Sequence, residues 1–107
     1  MLKVLETKNG VKNMTIEYAI LESLIQDGRT IELINSYLLN CCDISISLEI
    51  LKESIIMLHK LDLIKVAFPP QYANTLYLQD SLLNDYWFEL SDTGEKECIK
   101  RNIIIDG

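Results

Sequence analysis

The side chains that could do catalytic or metal chemistry are few, and their spacing does not bring them together. The only histidine, His59, lies in a predicted helix among Glu and Lys neighbours, where a solvated position is commoner than a role as general base. Cys41 and Cys42 are adjacent and Cys98 stands alone, so the local ligand spacing of a zinc site is missing. No glycine-rich phosphate loop or nucleophile elbow occurs. We therefore expect no enzyme, no metal site and no cofactor.

Composition and charge restrict the class of protein further. The 107 residues include 10 Lys or Arg against 16 Asp or Glu, a formal net charge of −6, and 49% are hydrophobic. This composition excludes a disordered chain, and the length fits one domain. No apolar run reaches the ~18–20 residues that cross a bilayer, and the first residues do not resemble a signal peptide. We expect a cytoplasmic protein with free thiols, and the acidic balance disfavours a partner bound chiefly through phosphates.

Helical periodicity predicts three helices in the first part of the chain. The first follows an N-cap at Thr15 and ends at a C′ glycine, Gly28. The second starts at Thr30 and fades near Asn40, and the third covers about Ser47–Leu61. The apolar residues expected to face inward are Ile16, Ala19, Ile20 and Leu24, then Ile31, Ile34 and Leu38, then Leu48, Leu51, Ile55 and Leu58.

The polar residues of these helices are expected away from the inward side. In the first helix these are Glu17, Glu22 and Gln26, and Glu17 lies in the first turn, where the helix dipole favours a negative charge. In the third helix, a turn of 100° per residue places Glu49, Glu53, Ile56 and Lys60 opposite the apolar stripe, with Ile50 and Met57 on one flank. The exposed apolar residues of that helix would be Ile50, Ile56 and Met57.

The remainder of the chain predicts a hairpin and a last helix. Leu63–Phe68 has the pattern of a strand ended by two prolines, and Tyr86–Leu90 is a second, aromatic strand. Between them the chain is polar and irregular, with a brief pairing possible at Leu76–Leu78. Ser91 caps a helix over about Asp92–Arg101, whose acidic start and basic end suit the helix dipole.

Two stretches, Leu48–Ile64 and Phe88–Lys96, resemble winged helix-turn-helix domains of the MarR and PadR type of transcriptional regulator. The first stretch is similar to the recognition helix and the step into the wing, where these families often have Leu-x-x-x-Gly-Leu-Ile; Asp62 stands in place of the glycine. The second is similar to the Tyr-x-Leu-Thr-x-x-Gly end of the wing. The likeness covers about residues 15–101. It implies a mainly α, α+β fold with three helices, a wing at about 63–90 and a C-terminal helix.

In these families the start of the third helix enters the major groove and the wing contacts the backbone through Lys or Arg. The resemblance therefore implies a DNA-binding protein, a dimeric transcriptional regulator of double-stranded DNA. Ser and Lys can donate to bases or phosphates, and Glu can accept from cytosine. Carried onto this chain, the DNA-binding candidates are Ser45, Ser47, Glu49, Lys52, Glu53, Ile56 and Lys60.

The charge of the predicted wing favours a different partner. Residues Val66–Glu95 contain no Lys or Arg but five Asp or Glu, whereas DNA binding needs cations that face phosphates. The alternative is an acidic winged-helix module that binds another protein and not DNA. The DNA interpretation would be restored if one face gathered the basic residues Lys3, Lys8, Lys12, Arg29, Lys52, Lys60 and Lys65. Without interleaved cations, base stacking is a weak interpretation of the aromatic residues, and we expect Trp87 or its alternating neighbours to cover the helices.

The chain divides into three segments on this interpretation. Residues 1–14 form an arm or short strand, residues 15–101 form the domain, and residues 102–107 form an apolar tail. The long loop at 69–85 either forms a site for a partner or is an insertion without function, since lengthening a loop costs little free energy. The three consecutive isoleucines Ile103–Ile105 favour a strand, so we expect the tail to pair with the N-terminal strand or to lie across a second subunit of a homodimer; a frayed terminus is the alternative.

Overall fold

The computed structural model describes residues 4–6 and 13–100 of the chain. These residues form an α+β domain with four α-helices and two antiparallel strand pairs, as the sequence predicts at the level of fold class. In chain order the elements are β1 Val4–Glu6, β2 Asn13–Thr15, α1 Ile16–Ser23, α2 Ile31–Cys41, α3 Leu48–Lys60, β3 Ile64–Phe68, β4 Trp87–Leu90 and α4 Asp92–Lys100.

Hydroxyl side chains fix where the first three helices begin. Thr15, Thr30 and Ser47 have extended backbones, and each side chain accepts a hydrogen bond from the backbone N–H three residues further on. Such a cap satisfies one of the four N–H groups that a helix start leaves without a partner. The predicted starts of all three helices are confirmed.

The predicted end of the first helix at Gly28 is wrong, because α1 stops at Ser23. The chain turns there so that Arg29 can pair with β4: its backbone N–H donates to the Phe88 carbonyl at 2.9 Å, and the Phe88 N–H donates back at 2.8 Å. The side chain of Arg29 also donates from Nε to the free carbonyl of Ser23. Gly28 lies beside this bridge, since a Cβ there would come within 3.1 Å of the Phe88 carbonyl oxygen.

The core lies between α1, α2, α3 and the inner side of the hairpin. Leu48, which was expected in the inward stripe of α3, is instead 46% exposed. It is the first residue of the helix, and the buried stripe begins one turn later at Leu51. The largest fully buried side chains are Tyr86, Phe88, Ile16, Ile20, Leu21, Ile31, Ile34, Leu38, Ile44, Leu51, Ile55 and Leu58.

Glu17 is buried, which contradicts the expectation that it lies away from the inward side of the helix. The residue is only 4% exposed, and Ser54 of α3, which is also buried, lies beside its carboxyl. Its Oε1 has no hydrogen-bond partner in the described part of the chain. Burial raises the pKa of this carboxyl, and hydrogen bonding only partly opposes the increase. The folded state therefore favours the protonated form more than the unfolded state does.

Replacing Glu17 with glutamine should stabilise the domain near pH 7. Because the pKa of Glu17 is higher in the folded than in the unfolded state, its favourable contribution is complete below the ordinary value of 4.5 and is lost as the pH rises through the folded value. We expect Glu17→Gln to raise the free energy of unfolding by about 1 kcal/mol at pH 7 and by less at pH 4.5. Urea unfolding at both values measures the difference, with the exposed Glu32→Gln as the matched control; equal effects of the two variants would contradict the assignment.

Hydrogen bonds of Ser91 join the end of α3 to the start of α4. The hydroxyl of Ser91 donates to the Asp62 carbonyl and accepts from the Gly94 N–H at 2.9 Å, while the Ser91 N–H donates to the Leu63 carbonyl at 3.1 Å. Asp62 has a positive φ of 59°. The predicted cap at Ser91 and the predicted turn at Asp62 are both confirmed.

The connection between β3 and β4 contains no strand, so the pairing considered for Leu76–Leu78 does not occur. Two 3₁₀ turns, Pro70–Tyr72 and Asp80–Leu82, shape it instead. Buried Leu83 and Tyr86 attach its second half to the core. A short strand, β1, does form in the N-terminal arm and pairs with β2. The predicted role of the 102–107 tail lies outside the described residues.

Candidate interaction surfaces

The residues predicted to bind DNA differ in their exposure. Ser45, Ser47, Glu49, Glu53 and Lys60 are exposed, whereas Lys52 and Ile56 are half-buried. Ile56 packs against the core. Lys52 and Lys60 are separated by about 12 Å along the axis of α3, at 1.5 Å per residue. Four of the five exposed candidates, Ser45, Ser47, Glu49 and Glu53, lie at or just before the start of α3.

The start of α3 exposes both apolar and acidic side chains. Leu48 and Ile50 are 46% and 39% exposed and point about 160° apart around the helix, and the exposed carboxylates Glu49 and Glu53 lie between them. The exposure expected of Ile50 is confirmed, but Ile56 and Met57 are half-buried. Exposed apolar side chains beside like charges are unsuited to a phosphate backbone and better suited to a protein surface.

The outer side of the hairpin presents two aromatic rings to solvent. Phe68 and Trp87 are partners in the strand register, next to a bulge between Val66 and Phe68, and they are 58% and 39% exposed. Phe88 points the other way and is fully buried. The alternating neighbours Tyr86 and Phe88 therefore cover the helices, as expected, and Trp87 is left outside.

A cleft of about 660 Å³, here called the sheet groove, lies over this outer side. Its apolar walls are Leu33, Phe68 and Trp87, and the carboxylates Asp27 and Glu89 stand on its rim together with Arg29. A second cleft of about 310 Å³ shares Asp27 and Glu89 with it and adds Glu95. Glu89 also pairs with Lys65 at 3.5 Å, but both side chains are more than 40% exposed, so water and salt weaken this pair.

The guanidinium of Arg29 is already engaged within the domain. Besides the bond from Nε to Ser23, it lies 5.0 Å from the centre of the Tyr37 ring. The Tyr37 hydroxyl donates to Glu22 Oε1 at 2.9 Å. Burial, and then this carboxylate, raise the pKa of Tyr37. These contacts hold the guanidinium of Arg29 beside Ser23 and Tyr37.

A third cleft, of about 390 Å³, lies where the end of α3 meets the long loop. His59, Lys60 and Lys65 line it together with Asp62 and Leu76. Burial lowers the pKa of His59, and Asp62 only partly opposes the shift, so the imidazole is neutral at pH 7. The charged residues that line this cleft are therefore Lys60, Lys65 and Asp62, and Lys65 is also paired with Glu89.

The distribution of charge is more acidic than the total charge of the chain. Residues 15–100 carry six Lys or Arg against fourteen Asp or Glu, a formal net charge of −8. The described basic residues are divided between separate places: Arg29 at the sheet groove, Lys52 on α3, Lys60 and Lys65 at the third cleft, and Lys96 and Lys100 on α4. Four of the ten basic residues, Lys3, Lys8, Lys12 and Arg101, lie outside residues 15–100.

The sheet groove was not predicted from the sequence. The alternation of apolar residues along Tyr86–Leu90 contains a usable signal, because the neighbours of a buried Phe88 must face outward in a strand. Asp27, however, comes from the α1–α2 connection and Leu33 comes from α2. The Arg29–Phe88 bridge brings that connection beside β4.

Comparisons of this chain with known protein families, with curated proteins and with solved structures find no match. No helix among the residues described is long and apolar enough to cross a membrane. In the same part of the chain, no three His, Cys, Asp or Glu side chains are grouped so that they could hold a metal ion.

Proposed function

We propose that the chain is a winged-helix domain that binds a protein partner and not DNA. The order of its elements, three helices followed by a hairpin and a fourth helix, agrees with the fold that the sequence resemblance implies. The hydrogen bonds of Ser91 with Asp62 and Gly94 give the residues that carry the resemblance a shared structural role. These observations support the winged-helix assignment, and the surfaces support the choice of partner.

The observation that carries the choice of a protein partner is the character of the two surfaces that would meet DNA in such a domain. The start of α3 exposes Leu48 and Ile50 on either side of the carboxylates Glu49 and Glu53. The hairpin exposes Phe68 and Trp87 within a segment, Val66–Glu95, that has no Lys or Arg. A phosphate backbone would be repelled by the −8 charge of residues 15–100. Exposed apolar side chains that are rimmed by polar groups are typical of protein–protein interfaces.

The full chain should therefore fail to bind duplex DNA even at low salt. We expect a fluorescence-anisotropy titration of a labelled random duplex to show no binding up to about 100 μM protein, the weak end of non-specific association. The full chain is required because the arm and Arg101 hold four basic residues. Binding in this range, with an affinity that falls steeply as salt is added, would contradict the proposal and restore the DNA-binding regulator.

A second experiment addresses the partner. The full chain is used to capture proteins from an extract of its source, in parallel with two variants. One is Phe68→Ser/Trp87→Ser, and the other is Leu76→Ser, which changes an even more exposed apolar residue outside the sheet groove. A partner bound through the groove should be retained by Leu76→Ser and reduced at least tenfold by the double variant. Equal recovery with all three proteins would contradict a role of this surface.

A further inference from the structure

The sheet groove combines two features that define what it can accept. Its walls are apolar and accessible, because they are formed by the side chains of Leu33, Phe68 and Trp87, which are all partly exposed to solvent. Its rim is acidic, because Asp27 and Glu89 border both this cleft and the adjoining one that contains Glu95. Burying the apolar walls against a ligand would be favourable, and the carboxylates would select among ligands by charge.

The positive charge already present does not neutralise this rim. Arg29 directs Nε to Ser23 and its guanidinium to the Tyr37 ring, so it is held on the α1–α2 side of the cleft. Lys65 reaches Glu89 only through an exposed pair at 3.5 Å. An incoming cation would thus meet three carboxylates, two of them without an ion pair among the described residues, and the two aromatic rings offer it further attraction.

We propose that the sheet groove is the binding site for a polypeptide segment in which apolar residues alternate with arginine or lysine. The apolar side chains contact Phe68, Trp87 and Leu33, and the basic side chains reach Asp27, Glu89 and Glu95. This inference rests on the proposed function, since it names the site and the chemistry of the protein partner. It excludes acidic segments and polar basic segments as ligands of comparable affinity.

Trp87 is the only tryptophan of the chain, so its fluorescence reports directly on the groove. The probe is the blocked peptide acetyl-Leu-Arg-Leu-Arg-Leu-amide, compared with the analogues in which Glu replaces Arg or Ser replaces Leu. We expect the first peptide alone to change the Trp87 emission saturably, with a Kd of about 1 mM or below. The two analogues should bind at least about tenfold more weakly. A flat titration with the first peptide, or equal binding of the acidic analogue, overturns the proposal.

Matched variants locate the binding. Phe68→Ala should weaken the basic peptide about tenfold, whereas Leu76→Ala, which removes an exposed apolar side chain elsewhere on the loop, should leave the affinity unchanged. Asp27→Asn with Glu89→Gln should weaken it about three- to tenfold, and added salt should reduce that difference. Unchanged affinity in both groove variants would place the peptide elsewhere and overturn the assignment.

Another occupant of the groove would be recognised in the same assay. If deletion of residues 102–107 alters the Trp87 emission and permits a binding that the full chain lacks, the chain's own tail fills the groove and the partner segment is refuted. The duplex titration decides the proposed function separately. One result would refute this inference and still support the proposed function. In that case the capture experiment recovers a partner that does not bind the Phe68→Ser/Trp87→Ser variant, but the basic peptide does not change the Trp87 emission.

Discussion

Replacing Gly94 with alanine should destabilise the domain by about 3 kcal/mol or more, a large share of the 5–15 kcal/mol that usually holds such a domain together. A Cβ at this position would lie 1.8 Å from the carbonyl oxygen of Leu63 and 2.8 Å from its carbonyl carbon. Both atoms belong to the backbone at the step from α3 into β3. They cannot move aside as a flexible side chain could, so α4 would have to move away from the hairpin.

Because Gly94 lies in a helix, the expected effect has the opposite sign to the usual effect of Gly→Ala. In a helix without such a neighbour, Gly→Ala would stabilise by about 0.8–1 kcal/mol. Lys96→Ala, at an exposed position of the same helix, is the matched control and should change the stability by about 0.5 kcal/mol or less. Urea unfolding of the two variants measures the difference. A Gly94→Ala protein as stable as the Lys96→Ala protein would show that α4 does not approach Leu63 this closely.

The sequence predicted those parts of the fold that local hydrogen bonding determines. Thr15, Thr30, Ser47 and Ser91 each start a helix because a hydroxyl accepts a nearby N–H, and that chemistry needs only a few neighbouring residues. The turn at Asp62 has a local origin too, since Asp adopts a positive φ more readily than most residues.

The errors arose where distant residues decide the outcome. The end of α1 depends on the bridge between Arg29 and Phe88, which are 59 positions apart in the chain. Helical spacing placed Glu17 away from the inward side of the first helix, but the residue is buried beside Ser54 of α3. Periodicity describes one helix at a time and contains no information about where a second helix packs.

The candidate site was harder to predict than the fold for a similar reason. Alternation along Tyr86–Leu90 predicts that neighbouring residues face opposite sides, but it does not say which side faces the core. The register of β3 with β4 and the bulge near Phe68 decide this, and they place Phe68 beside Trp87 on the outside. Leu33 and Asp27 then complete the groove from another part of the chain.

Alanine substitutions at two adjacent aromatic residues should separate the core from the surface. Phe88 is fully buried, its ring lies 5.8 Å from that of Tyr86 in an edge-to-face arrangement, and its backbone holds Arg29. Phe88→Ala removes a large core side chain and leaves a cavity, so we expect a loss of about 3–5 kcal/mol.

Trp87→Ala should cost about 1 kcal/mol or less, because the ring is partly solvated and its chief loss is the cross-strand contact with Phe68. Denaturant unfolding measures both variants. Since Trp87→Ala removes the fluorophore, calorimetry is used to measure binding of the basic peptide. We expect the variant to lose this binding almost completely. A loss of stability equal to that of Phe88→Ala would place Trp87 in the core. Retention of both stability and peptide binding would show that the ring is not part of the site, because a surface aromatic residue that anchors a ligand must affect affinity when it is removed.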